Sequence, residues 1–424
     1  MSEFADELRR LMTARSVGVR ELARQVPCNP GHISQLRNGQ KRPSEQTAKR
    51  LDEVLCADGR LVAVAPGQRS RHAEVDIAGA GSGAGADDAV ELIELTRRAE
   101  RSDVGSGTLD ALQMATDRLC RDYSTVPVRV LRDRARKYLR FTLGLLDKRN
   151  TLRQHRDLLV NAGWLAALLA CVYYDAGQPL SAEAARRMTH RLGEQAGHGE
   201  LVGWAFEIAA WFALVEGRFA DSVALCEAGL AHAGTCNAGV QISVQAGRGY
   251  ARMGDSRALE MLAAGRAMLH RIPEPSHPEH HFVFDRGKYE FYVATVLTWY
   301  GGDDAAAEEH ARWVVTQCQH GEGVRWPMRL ANSQIDLALL AGRRHDLDEA
   351  VTLGRSALTL ERRSAQLLPR AVELEQDLTA RYPGERLVGE FGEVLREQVR
   401  GLPPDGPRWL ANALPRGISG KESS

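Results

Sequence analysis

ELARQVPCNPGHISQLRNGQKRPS, residues 21–44, decides how the N-terminal part of this chain folds. Leu22, Ala23 and Val26 fall on one face of a short helix predicted over residues 19–26. Pro27-Cys28 is too short a turn to separate independent elements. Asn29 supplies an N-cap oxygen and Pro30 suits a first helical position, so another helix starts there and runs to Asn38. Ile33 and Leu36 point inward from it. Gly39 stops it, and Ser44 caps a fourth helix through Leu51, Val54 and Leu55. Upstream, Phe4, Leu8, Leu11 and Met12 repeat at one-face spacing and place a first helix over residues 2–15. Cys28 and Cys56 lie in apolar company and read as core.

Helix, tight turn, helix with a polar outer face is a geometry that fits the major groove. The outward side chains expected on the third helix are Asn29, His32, Ser34, Gln35 and Arg37. Gln35 can pair two groups with adenine, and Arg37 can pair with guanine or hold a phosphate. Five basic residues face one acidic residue between Cys28 and Arg50. Arg20, Lys41, Arg42 and Lys49 are candidate phosphate contacts, with Arg50 beside them.

Leu22-Ala23, Ile33-Ser34-Gln35-Leu36, Asn38-Gly39 and Arg42-Pro43-Ser44 together resemble the Xre family of phage-repressor-like helix-turn-helix regulators. The likeness covers about a seventh of the chain. It implies that His32, Gln35 and Arg37 lie at or beside base-facing positions and Asn38 at a backbone-contacting one. Gly18 departs from the pattern, standing where a Ser or Thr cap is common; so does Val19, which replaces a Gln often used on phosphate. The partner implied is a double-stranded DNA operator. One head reads few base pairs, so a homodimer spanning half-sites roughly 34 Å apart is expected.

With 424 residues the chain is long enough for two or three domains. Its 44% hydrophobic and 26% charged residues fit a soluble globular protein. Net charge is zero, but the first 60 residues hold 11 Lys and Arg against 8 Asp and Glu, which favours a basic head over a whole-protein polyanion binder. Seven cysteines without CxxC pairs indicate a reducing compartment. No signal peptide or apolar run of 18 residues is read, and Trp164–Val172 is too short to span a bilayer. The expected location is the cytoplasm, with the nucleoid, and no membrane partner. No HExxH, GxSxG, Walker or kinase motif organises a nucleophile with a base, so neither enzyme activity nor a cofactor is expected.

Beyond the head (1–64), residues 65–88 are Gly/Ala-rich and read as a flexible tether. Gly79, Gly81, Gly83 and Gly85 lack the strand and the Lys-Ser or Lys-Thr of a nucleotide loop. Residues 89–402 are helical in pattern: Leu165, Leu168, Leu169 and Val172 share a face, as do Leu353, Ala357 and Leu360. Gly177, Gly217, Gly254, Gly302 and Gly342 mark turns spaced 40, 37, 48 and 40 residues apart. Small residues follow each turn (Ala182, Ser222, Ala258, Ala306, Ala350). A near-40 period of paired helices resembles tetratricopeptide repeats, best in Phe206–Leu230 through Gly217, Phe219, Ser222 and Leu230. The predicted fold class is therefore all-α: a four- or five-helix helix-turn-helix domain, a flexible tether and an α-solenoid, with a frayed tail at 403–424 from which Trp409 could dock.

An insertion, PEPSHPEHHFVFDRGK (273–288), is expected to lie over a repeat face. Phe282, Phe284, Asp285 and Arg286 would pin it. His277, Glu279, His280 and His281 read as loop residues before they read as a metal site. Trp204 and Trp211 share a face with Ile208 and read as packing. Trp326 is expected to be exposed at the start of a helix, and Tyr289, Tyr292 and Trp299 share one helix. Arg286, Tyr289, Tyr292, Arg325 and Trp326 are the candidate ligand-groove residues. The architecture resembles signal-controlled regulators of Gram-positive bacteria, some of which bind secreted peptides, and high Arg with few Lys points to a GC-rich actinobacterial source. The expected function is a DNA-binding regulator controlled by a peptide, small-molecule or protein ligand in the repeats. The alternative is a protein-interaction scaffold with a vestigial head.

Overall fold

The computed structural model describes residues 3–15, 17–26, 30–41, 43–55, 57, 59–64, 103–320, 324–359 and 364–400. Asn29, Arg42, Cys28, Cys56, Leu360, the tether at 65–88 and the tail at 403–424 lie outside these. Every regular element among the described residues is helical. The chain divides into two compact units, Met1–Ala89 and Val90–Ser424.

In the N-terminal unit, α1 (Glu3–Ala14), α2 (Val19–Gln25), α3 (Pro30–Arg37), α4 (Glu45–Val54) and α5 (Arg60–Val64) enclose one core. Phe4, Leu8, Leu22, Val26, Ile33, Leu36, Leu51 and Leu55 are all buried in it. Gly18 precedes α2 without a side-chain cap, whereas the Ser44 hydroxyl accepts the Thr47 amide at 3.1 Å and caps α4. The fifth helix is held by Asp52, whose carboxylate accepts the Gly59 and Leu61 amides at 2.7 and 2.8 Å.

The C-terminal unit begins with α6 (Ser106–Arg121) and α7 (Val128–Leu146), and continues as six antiparallel pairs: α8 (Leu152–Asp175) with α9 (Pro179–Ala196), α10 (Gly199–Val215) with α11 (Phe219–Ala233), α12 (Asn237–Arg252) with α13 (Arg257–Leu269), α14 (Arg286–Tyr300) with α15 (Asp304–Gln319), α16 (Pro327–Arg343) with α17 (Leu347–Thr359), and α18 (Leu367–Arg381) with α19 (Arg386–Arg400). The first helix of each pair packs against the first helix of the next, forming an inner layer. Those helices are buried on nearly all sides, as α12 shows from Ala238 to Ala251, while their partners bury only a stripe. By length and composition α8 could cross a membrane, contrary to the reading of Trp164–Val172 alone, because its apolar stretch continues on both sides. Of its most apolar window 78% is buried inside the fold, as befits a core helix.

The small residues after the turns sit where helices of a pair approach. Ala182, Ser222, Ala258 and Ala350 are fully buried, and the Ser222 hydroxyl donates to the Ala210 carbonyl at 2.8 Å. At the fourth turn the buried position is Ala307, one residue beyond the predicted Ala306. Gly342 was expected to be a turn glycine but lies within α16; the chain reverses at His345, which takes the left-handed conformation at φ 66°. At Gly229 a Cβ would come within 2.8 Å of Phe206 Cβ, so glycine permits the close crossing of α10 and α11.

Candidate functional site

The outer face of the N-terminal unit is built on α3. Ile33 and Leu36 anchor it in the core, which turns Gln35 and Asn38 fully outward, while His32, Ser34 and Arg37 are half-buried at its edges. After Gly39 (φ 73°), the amides of Gln40 and Lys41 both donate to the Gln35 carbonyl, at 2.9 and 3.3 Å. Gln35, Asn38 and Lys41 are thereby held on one surface, and Lys49 is exposed on α4. Arg20 is carried by α2. On α1, by contrast, Arg9 and Arg10 pair with Asp6 and Glu7 of their own helix. Among the described residues Arg37, Lys41 and Arg50 form no ion pair, so the positive charge near α3 remains uncompensated and available to phosphate.

In the C-terminal unit the inner helices surround a cavity of about 130 Å³. Glu207 of α10, Gln241 and Arg248 of α12 and Lys288 of α14 face it among the rings of Trp204, Trp211, Phe291, Tyr292 and Trp326. A second cavity of about 80 Å³ shares Arg248 and Gln366 and is lined by Trp299, Arg252 and Arg370.

The polar groups here are buried but poorly paired. Glu207 accepts one bond from Gln241 Nε2, at 2.8 Å, and the same amide contacts the Tyr292 hydroxyl. Lys288 Nζ donates to the carbonyls of His281 and Val283, at 3.0 and 3.3 Å, and lies over the Trp204 ring. Arg248 donates to Gln245 and Gln366, at 3.3 and 2.7 Å. No oppositely charged group among the described residues comes within ion-pair distance of any of the three. Burial accordingly pushes the Glu207 carboxyl above its ordinary range and pulls Lys288 and Arg248 below theirs. Among the described residues Trp204 Nε1, Gln241 Oε1, Arg248 Nε and Trp326 Nε1 have no hydrogen-bond partner, although the first three residues are only 2%, 3% and 2% exposed. Such orphans cost about 1–3 kcal/mol each when buried.

Two segments outside the helices are tied to the inner layer. The 273–285 loop lays Phe282 and Phe284 into the core, and the His281 amide donates to the Cys120 carbonyl at 3.1 Å. Asp285 caps α14 through the Lys288 amide at 2.7 Å and pairs with Arg329 at 3.2 Å. Arg286, expected to help pin the loop, is instead 78% exposed. On the other side the Ala365 amide donates to Asp175 at 2.8 Å, joining the segment before α18 to the end of α8.

Of the five residues read as a ligand groove, Tyr292 and Trp326 meet in the first cavity. Trp326 is half-buried rather than exposed, because Pro327 opens α16 and turns its ring inward onto Arg329. Arg286 and Tyr289 line a different cleft, and Arg325 is exposed with its guanidinium over the outer face of Trp326. Of the four histidine-region residues, Glu279, His280 and His281 line the first cavity, while their side chains take separate partners: His277 meets Glu279, His280 approaches Asp117 and the His281 ring lies tilted against Tyr123. Sequence reading missed Glu207, Gln241, Arg248 and Lys288. A signal existed, since Gln241, Gln245 and Arg248 fall at helical spacing inside a helix with otherwise small and apolar residues, and Glu207 interrupts an apolar run.

No curated protein matches the chain. A family model described as a helix-turn-helix domain matches residues 3–65, which supports a DNA-binding regulator with double-stranded DNA as its partner.

Proposed function

We propose that this protein is a sequence-specific transcriptional regulator of the Xre type that binds its operator as a homodimer and is controlled by a ligand held in its helical-repeat unit. The observation that carries most weight is the helix-turn-helix match over residues 3–65, together with the outward Gln35–Asn38–Lys41 surface and its unpaired cations. Gln35 and Arg37 read base edges. Asn38, Lys41 and Lys49 hold the backbone. The ligand's role is supported by the unsatisfied buried groups of the inner cavity, which a bound molecule would complete. A ligand shifts DNA binding only to the extent that it favours one arrangement of the dimer over another. Selection of bound sequences from a random duplex pool by the full chain tests the first part. An enriched, two-fold related motif is expected, and recovery of sequences indistinguishable from the input would overturn it.

A further inference from the structure

Three properties of the inner cavity restrict what it can hold. The first is size: about 130 Å³ is on the scale of the roughly 150 Å³ engineered cavity that accommodates benzene, and the adjoining cavity of about 80 Å³ shares Arg248 and Gln366 with it, so the space matches a single ring with its substituent directed towards Arg248 rather than an extended peptide. The 273–285 loop and the segment before α18 both form part of its wall, through Glu279, His280 and His281 and through Ser364 and Gln366.

The second property is an imbalance of hydrogen-bonding groups. Three of the four orphaned atoms on the cavity lining are donors (the indole N–H groups of Trp204 and Trp326 and the Arg248 Nε–H) and one, Gln241 Oε1, is an acceptor. The excess continues into the adjoining cavity, where Trp299 Nε1 and two nitrogens of Arg370 are also unpartnered.

The third is charge. Arg248, Arg252 and Arg370 all lie over the Trp299 ring, at 5.1, 4.8 and 4.9 Å. Arg252 is paired with Glu373 and Arg370 with Asp336, whereas Arg248 and Lys288, both on the cavity lining, have no carboxylate at ion-pair distance among the described residues. Against these two cations the lining places two carboxyls, the buried Glu207 and, towards the rim, Glu279, which has the His277 ring beside it at 3.2 Å. Buried cations without partners are costly, and a bound anion removes that cost.

We infer that the cavity binds a small organic carboxylate with a single ring, its charge held by Arg248 and Lys288, its oxygens accepting from the indole N–H groups, and its ring seated among Trp211, Phe291 and Tyr292. Gln241 and Glu207 supply acceptors for a polar substituent on that ring. The assignment rests on ligand control of the repeat unit and gives that control its chemistry.

The test uses the full-length chain with phenylacetate, its neutral isostere phenylacetamide, the cation benzylamine, and the tripeptide Gly-Gly-Phe with a free C-terminus. Three tryptophans line the cavity, so intrinsic fluorescence reports occupancy and titration calorimetry gives affinity. Phenylacetate is expected to bind saturably and at least tenfold more tightly than phenylacetamide or benzylamine. Arg248→Met should weaken it at least tenfold. Trp204→Phe, which keeps an aromatic side chain but removes the N–H donor together with the five-membered ring, should weaken it several-fold in a protein whose circular dichroism is unchanged, and it stands as the test if Arg248→Met does not fold. Equal binding of the amide or the amine, failure of phenylacetate to bind, no effect of Trp204→Phe, or tighter binding of the tripeptide would each overturn the inference. DNA affinity is measured separately by mobility shift: carboxylate binding that leaves it unmoved upholds the site and defeats ligand control, whereas control by a ligand other than an anion does the reverse.

Discussion

Gln35 owes its position to its neighbours. Ile33 and Leu36 are buried, and of the two side chains between them Ser34 is half-buried and Gln35 exposed, which makes Gln35 the best placed of the candidate base readers. Replacing Gln35 and Arg37 together by Ala is expected to flatten sequence preference while leaving general DNA affinity largely intact. Competition between operator and random duplex measures this. Lys41→Ala, in contrast, should weaken binding to all sequences alike and lower the salt slope of log affinity by about 1. A different balance governs Arg370 and Asp336, a buried pair at 2.7 Å whose carboxylate also accepts from Thr295 at 2.9 Å. Removing one partner strands the other charge, so Asp336→Asn should cost about 3–5 kcal/mol in chemical denaturation of the C-terminal unit. His280 gives a pH signature. Burial pulls its pKa down to about 4, from an ordinary value near 6.5, with Asp117 opposing. The folded state therefore prefers the neutral ring; its contribution is complete above about pH 6.5 and is lost as the pH falls towards 4. The melting temperature of the C-terminal unit should fall over that interval, and His280→Gln should flatten the fall.

The helices of the N-terminal unit were legible almost to the residue, because caps and stops act locally. Ser44 capping α4 and Gly39 closing α3 are single-residue events that the sequence states outright. Ser44→Ala should accordingly cost about 1 kcal/mol in thermal unfolding of that unit. The repeat turns were legible only in part. Gly177, Gly217, Gly254 and Gly302 do take left-handed conformations, but Gly342 serves helix packing, against Leu378, and His345 makes the turn. Glycine carries two meanings, freedom of φ and absence of a side chain, and spacing cannot separate them. The cavity was harder still. Glu207, Gln241, Arg248 and Lys288 come from three helices spread over more than 80 residues, so their convergence depends on how successive pairs stack. Tyr292 and Trp326 were singled out as aromatic residues near an insertion, a cue too coarse to exclude Arg286 and Tyr289, which face another cleft.

At the scale of the whole molecule, the C-terminal unit departs from the simplest repeat architecture. In an open array each hairpin touches only its neighbours, and stability is a sum along a line. Here Ala365 reaches Asp175, Arg248 reaches Gln366 and Arg252 reaches Glu373, residues 118 to 190 positions apart in the chain. These ties turn a row of links into a buckled belt. Its terminal hairpins are shielded from peeling away singly, and a disturbance at the buckle is felt at both ends of the strap. Melting of this unit should consequently follow one sharp step instead of a staircase. Asp175→Ala, which removes the Ala365 tie and releases the Tyr123 hydroxyl while leaving the Arg248 and Arg252 ties in place, should broaden that step in calorimetry.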